Sequence, residues 1–459
     1  MKKTILISIV LFLLLLPTAL FAIGNRQQAS GDQVLNVAAF EGGEGRAYWE
    51  DMARQFEAAN PGVRVNLNAD PEIGNILITQ IASGQWPDFI SLAQNERSGL
   101  ILTMIKDNQL LELTDLFNSP APDRPGVALK DAIVPGILET TWCSPDKDGR
   151  IYLAPFTAGP MGLVYNKNLF ESKGWKLPVT WDDFFALDEE LKKPENFVNI
   201  DGRMVKRSLF TYQGIYAGYL ESLFWPAIAG AGGPAAIANI EAYRQGSMDN
   251  ASVRSVVEAF ARFSTSDYLM EGTVALNHTQ SQTDMMLGKA LFIPNGTWME
   301  NEMADSPREP GFTFGLTPAP VLRAGQDSYV LSSMAQLSIP KAARNPELAK
   351  KFLQFVYSKA SVNSLARNAN MTIAVKDARE IAGSQLSSGV NGMFTAYDRG
   401  KFMLFAFDAP PPNTRVNTQS VVFDDNMGPL VTGRISVAEY IRRVEAAFAE
   451  LREDIARAR

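Results

Sequence analysis

Residues 34–67 switch between two hydrophobic periods, and that switch confines the chain to one broad architecture. Val34, Leu35, Val37, Ala38, Ala39 and Phe40 make a nearly unbroken apolar run of strand length, closed by the turn-prone Glu41-Gly42-Gly43-Glu44-Gly45. Trp49, Met52, Ala53, Phe56 and Ala59 then recur at helical spacing until Asn60-Pro61-Gly62, where the pattern stops. Val63, Val65 and Leu67 alternate as a strand again. Residues 89–92 and 162–165 read as further short strands. Later helices open on recognisable starts: Thr180 with Asp183, Asn345-Pro346-Glu347, and Ser436 with Glu439. Strands alternating with helices in this way predict an α/β protein with mostly parallel sheets. The chain has 459 residues, beyond the ~250–300 at which a single core stops growing, so two lobes are expected. No internal repeat is visible.

Chemistry is limited by what is scarce. His278 is the only histidine and Cys143 the only cysteine. One of each excludes an intramolecular disulfide and a Cys/His zinc cluster, and no cofactor is expected. A Ser–His triad would rest wholly on His278. Catalysis by carboxylates alone survives, so a glycosidase built on an acidic pair remains the enzyme alternative. With 43 Lys and Arg against 50 Asp and Glu, the net charge is -7. That balance argues against a nucleic acid or an anionic membrane as partner.

The amino terminus carries Lys2 and Lys3, an apolar stretch over residues 5–16, then Pro17 and small residues around Ala19 and Ala22. These are the parts of a secretory signal peptide, with cleavage expected after Ala22. The stretch is shorter than the ~20 residues that span a bilayer. No cysteine comes after it in the leader region, so a lipid anchor is not expected. Beyond this leader, no segment reads as long and apolar enough to cross a membrane.

Ligands of open α/β sheets sit at the carboxyl ends of strands, so the residues just past each strand carry the functional reading. Glu41 and Glu44 come after the first, and Gln94 and Asn95 after residues 89–92. Tyr212 and Gln213 come after residues 208–211; Asn295, Gly296, Thr297 and Trp298 after residues 290–294. Amides, carboxylates and aromatics without a cationic cluster suit a neutral, hydroxyl-rich ligand: flat rings cover sugar C–H faces, and amides or carboxylates pair hydroxyls.

Six blocks, in order, carry a resemblance. They are Phe56-Glu57 through Asn60-Pro61-Gly62-Val63, Gln85-Trp86-Pro87-Asp88-Phe89, and Asp148-Gly149-Arg150-Ile151-Tyr152-Leu153-Ala154-Pro155. Next come Tyr165-Asn166-Lys167-Asn168-Leu169-Phe170 with Thr180-Trp181-Asp182-Asp183-Phe184, Gly288-Lys289-Ala290 before Gly296-Thr297-Trp298, and Asn345-Pro346-Glu347-Leu348-Ala349-Lys350. Over nearly all of the mature chain it resembles the bacterial extracellular solute-binding proteins of family 1, which deliver carbohydrates to ATP-driven importers. Phe210-Thr211-Tyr212-Gln213-Gly214, Asn277-His278-Thr279-Gln280 and Pro294-Asn295-Gly296-Thr297-Trp298-Met299 look closest to the binders of N-acetylglucosamine and diacetylchitobiose. Many members carry a lipid-attachment cysteine, which this chain lacks; a free periplasmic protein is therefore the expectation.

The resemblance implies a two-lobed periplasmic-binding-protein fold of class II type, with hinge crossovers and a ligand cleft between lobes. The crossings are expected near residues 154–159, 329–335 and Pro410-Pro411-Pro412. One lobe would hold 33–155 and 331–408, the other 156–330 and 409–459. It further implies a carbohydrate ligand, a membrane permease as partner, a monomer, no enzyme activity and no cofactor. An exported ligand-sensing partner of a chemoreceptor would share this fold and cleft.

Trp298, starting a helix directly after a strand, is the leading ligand contact, with a core tryptophan as the bland alternative. Asn295, Tyr212, Gln213, Gln94, Asn95 and Glu44 are the further contacts, competing with ordinary turn and loop packing. Trp225 and Trp142 are looser candidates. His278 and Cys143 read as structural, and Glu300 and Glu302 as helix-start residues favoured by the dipole.

Overall fold

The computed structural model describes residues 33–93, 96, 98–146, 148–408 and 414–458. The expected leader, Gln94, Asn95 and the third crossing at Pro410-Pro411-Pro412 lie outside the described residues. The opening pattern folds as read. β1 (Gln33–Phe40) leads into the helix Gly45–Ala59, which buries Tyr48, Trp49, Met52 and Phe56. Gly62, at a φ of 87°, turns the chain into β2 (Val63–Asp70). β1 pairs in parallel with β2 and with β3 (Phe89–Ser91). Asp88 fixes this corner: its carboxylate accepts from the backbone N–H of Asn36 and of Asn345, each at 2.9 Å.

The departure from a mostly parallel sheet comes from two long strands, β4 (Ala154–Asn166) and β10 (Tyr329–Ser338). Between them lie β5 (Val198–Ile200) and β6 (Arg203–Val205), a separate ribbon, then β7 (Ser208–Phe210), β8 (Ala290–Gly296) and β9 (Phe314–Thr317). β11 (Lys401–Met403) is last. The main sheet runs β2-β1-β3-β10-β4-β8-β7, with β9 on β4 and β11 on β10. β10 runs antiparallel to β3 and to β4, and β4 antiparallel to β8 and β9. At about 3.3 Å per residue, β4 is roughly 40 Å long and serves both halves. Its first half, from Ala154 to Pro160, lies against β10; its second, from Met161, lies against β8 and β9.

Two cores flank these crossings. In the first, Phe56, Phe89 and Phe352 meet edge to face at 5.0 and 5.1 Å. The second gathers Trp181, Phe184, Phe210, Phe263 and Phe292 with Val444 and Phe448. Each draws on chain from both sides of β4. The cut placed at 408 falls after Met403 and Phe405, both of which sit in the second core. A smaller cluster, rich in methionine (Met285, Met286, Met299, Met303, Met393), underlies β8 and β9. The helix Ser388–Phe394 ties the two sides, with Val390 and Phe394 in the first core and Met393 in this cluster.

Helix starts obey their sequence signals in part. Thr180 and Asp183 form the expected reciprocal capping box. Asn345 precedes the helix Pro346–Val356, but its side chain donates to the Val34 carbonyl instead of capping. Ser436 accepts from the Glu439 N–H, while the Glu439 carboxylate turns to Arg442 and Arg443. One segment, Gly214–Glu241, is long and apolar enough to cross a membrane by length and composition, which corrects the sequence reading. It leaves helical geometry at Tyr216 and Gly233, and buries Leu223, Phe224, Trp225 and Ile228 in the second core.

Candidate functional site

Trp298 lies where the two halves meet. β8 is buried along its length and includes Asn295 and Gly296, which the sequence placed after the strand. Trp298 then caps the short helix Met299–Glu302 and packs, half-buried, against the cores of both lobes. Two glycines make room for it. A Cβ on Gly296 would fall 2.0 Å from the indole ring, and one on Gly43 would fall 2.9 Å from the Trp298 Cβ. Gly43 belongs to the loop after β1, so first-lobe backbone touches second-lobe tryptophan. The Asn301 amide donates to the Gly43 carbonyl at 3.1 Å across the same seam.

At the end of β8, two buried amides are only half satisfied. Asn295 is fully buried; its Oδ1 accepts from the Gly296 N–H at 2.9 Å and its Nδ2 has no partner. Gln213 is fully buried as well; its Nε2 donates to the Pro294 carbonyl at 2.9 Å and its Oε1 has no partner. A buried polar atom without a partner costs about 1–3 kcal/mol, so each amide leaves part of its hydrogen-bonding capacity unmet. Glu44 is buried on the first-lobe side, where burial raises its pKa and the Thr157 hydroxyl donates to it at 3.4 Å.

Other expected contacts sit elsewhere. Trp225 is a core tryptophan: it stacks on Phe405 at 3.9 Å and 11°, enclosed by Phe407 and Phe423, and offers no free face. Tyr212 is enclosed beside Phe210; its hydroxyl points towards Gly428, and burial drives its pKa up. Trp142 is half-buried, and its indole N–H is already given to the Phe405 carbonyl at 2.7 Å, a second link between the lobes. Cys143 is buried with its thiol pKa pushed up, an inert position. Among the described residues no group of three or more His, Cys, Asp or Glu is placed to hold a metal.

The sequence reading passed over a cluster beside Trp298. The Tyr219 and Trp298 ring centroids are 6.5 Å apart, and those of Tyr216 and His278 are 5.5 Å apart. His278 Nε2 lies 3.6 Å from Glu302 Oε1, and Gln282 Nε2 donates to Glu302 Oε2 at 3.4 Å. The one available signal was the four-residue step from Trp298 to Glu302, which places both on one side of a helical turn.

A match to the family model described as bacterial extracellular solute-binding protein extends over residues 41–363, well over half of the chain. A diacetylchitobiose-binding protein of Streptomyces coelicolor is 24% identical over 344 residues, covering 73% of this chain and 68% of its own. A multiple sugar-binding protein of Streptococcus mutans is 24% identical over 407 residues, covering 83% and 85%. Among solved structures, the apo form of RafE from Streptococcus pneumoniae superposes with a TM-score of 0.67 at 19% identity, covering 92% of this chain and 99% of that one. A Listeria monocytogenes ABC substrate-binding protein in complex with cycloalternan gives 0.66 at 16%, covering 91% and 98%. Two cores threaded by shared crossing strands, with a tryptophan at their seam, agree with that assignment, and the chain belongs to the bacterial extracellular solute-binding protein family.

Proposed function

We propose that this chain is an exported carbohydrate-binding protein that captures a mono- or oligosaccharide between its lobes and delivers it to the permease of an ABC importer. The observation that carries the reading is Trp298, a half-buried ring packed against both cores at their seam, with Tyr219 beside it. Aromatic faces cover sugar C–H surfaces. The sugars named for the two curated relatives support the ligand class. The diacetylchitobiose named for one of them makes that sugar and its N-acetylglucosamine unit the first to try. The basic start and short apolar stretch support export through a cleaved leader, and the family likeness carries the expectation of a periplasmic monomer. Binding would bias a hinge about β4 and β10 towards closure, and the closed form would dock on the permease.

The test is a set of melting curves on the chain without residues 1–22, with N-acetylglucosamine, diacetylchitobiose, maltose, xylobiose and glucose, and with hydrolysis products assayed in the same tubes. A sugar at ~100 times its Kd should add about 2.7 kcal/mol of stability. A clear shift without product supports transport, and shifts by the acetylated sugars support the narrower ligand. Product formation would overturn the reading in favour of a glycosidase.

A further inference from the structure

We propose that Tyr216, Tyr219, His278, Gln282 and Glu302 form a recognition wall beside Trp298 that accepts uncharged or amino-substituted sugars and rejects acidic ones. This rests on the sugar-binding reading and adds to it the class of sugar.

The wall is built outward from Trp298. The Glu302 N–H donates to the Trp298 carbonyl at 2.9 Å, so the carboxylate rises one turn beyond the indole. Its oxygens are held only loosely: 3.6 Å to Nε2 of His278 and 3.4 Å to Nε2 of Gln282. Charge-assisted hydrogen bonds settle at about 2.7–2.9 Å, so this carboxylate keeps capacity for stronger donors. Gln282 points the same way. It is fully buried, its amide nitrogen is spent on Glu302, and its Oε1 has no hydrogen-bond partner. The acceptor of this cluster that solvent reaches is Glu302, whose side chain is 29% exposed; the species it would take is a donor, which a sugar hydroxyl, an acetamido N–H or an ammonium supplies.

Tilted rings frame the acceptors. Tyr219 inclines at 51° to Trp298, and Tyr216 inclines at 51° to the His278 imidazole. A second carboxyl, Glu221, lies two positions after Tyr219 and accepts from Gln419 Nε2 at 3.5 Å. Among the described residues neither Glu221 nor Glu302 pairs with a Lys or Arg. A sugar carboxylate entering here would bring another acceptor against acceptors and another negative charge against Glu302. A neutral ring meets neither penalty.

The experiment sets two groups of sugars against the chain without residues 1–22, at equal concentration in melting curves. One group is N-acetylglucosamine, diacetylchitobiose, maltose, xylobiose and glucosamine; the other is glucuronic, galacturonic, digalacturonic and N-acetylneuraminic acids. Shifts are expected in the first group alone. The best binder of that group is then measured by calorimetry on wild type and E302Q, where affinity should fall about tenfold or more. Since His278 is the only histidine, its imidazole proton signal reports on the wall in wild type, independently of any variant, and should move on saturation. An acidic sugar that stabilises as well as the neutral ones would overturn the proposal and leave sugar binding standing. So would neutral-sugar binding with an unmoved imidazole signal and an unchanged E302Q affinity. Silence from every sugar would sink the sugar reading and this proposal together.

Discussion

The two surfaces that meet at Trp298 are made of different material. The second lobe contributes side chains: the rings of Trp298 and Tyr219, and the Asn301 amide that reaches the Gly43 carbonyl. The first contributes backbone and one carboxyl: the Gly42-Gly43 turn after β1, and Glu44 against Thr157. Such a division assigns discrimination to one wall and close approach to the other. A side chain can distinguish one sugar edge from another, whereas a glycine turn lets two surfaces come near enough for that distinction to matter.

Four variants would break or sharpen this contrast. Trp298→Ala removes the ring both surfaces share, and should weaken the best panel sugar by ~100-fold, about 2.7 kcal/mol, in calorimetry, with the far-ultraviolet circular dichroism unchanged. A loss below threefold would mean the rings do not carry recognition. Gly43→Ala probes the opposite wall. Its φ needs no glycine, but the new Cβ would stand 2.9 Å from the Trp298 Cβ, so the lobes must part. Affinity should fall by about tenfold, and small-angle scattering should show less compaction on adding sugar. A Gly43→Ala variant that closes and binds normally would remove backbone approach from the account.

Glu44→Gln keeps the shape of the first-lobe carboxyl and removes its charge. A fall of about threefold to tenfold in affinity is expected, since one charge-assisted hydrogen bond becomes a neutral one. A drop as large as that of Trp298→Ala would erase the contrast between the walls. The last variant concerns Glu221, whose effect is on stability. Burial lifts its pKa from 4.5 to about 7, so the folded state holds a proton that the unfolded chain releases. Its contribution is full below pH 4.5 and is lost as pH rises through about 7. Partial exposure lets water screen the carboxyl, so Glu221→Gln should flatten the stability profile across that window by only ~1 kcal/mol. A variant profile identical to wild type would show that this carboxyl is not perturbed by its site.

What could be read in the sequence was whatever a single element encodes. The helix carrying Trp49, Met52 and Phe56 and the Thr180–Asp183 box were legible because their periodicity and caps are local. The position of Trp298 at the seam was legible because it comes directly after a strand end, and the family blocks supplied the two-lobed frame. Partners brought together only by tertiary packing were not. Trp225 looked like a ligand ring because nothing in its neighbourhood announces Phe405, which is 180 positions away and stacks on it. His278 looked structural because Glu302 and Tyr216 reach it from separate segments. The antiparallel crossings were hidden for a related reason: strand direction depends on where the chain returns, and β4 and β10 are far apart in sequence.

The length of β4 has one more consequence. Because a single strand is stitched into both halves, and each core borrows chain from either side of it, no one cut in the gene yields either half as a separable piece. Truncation at a stop codon anywhere between residues 166 and 394 would leave two incomplete cores in place of one good lobe.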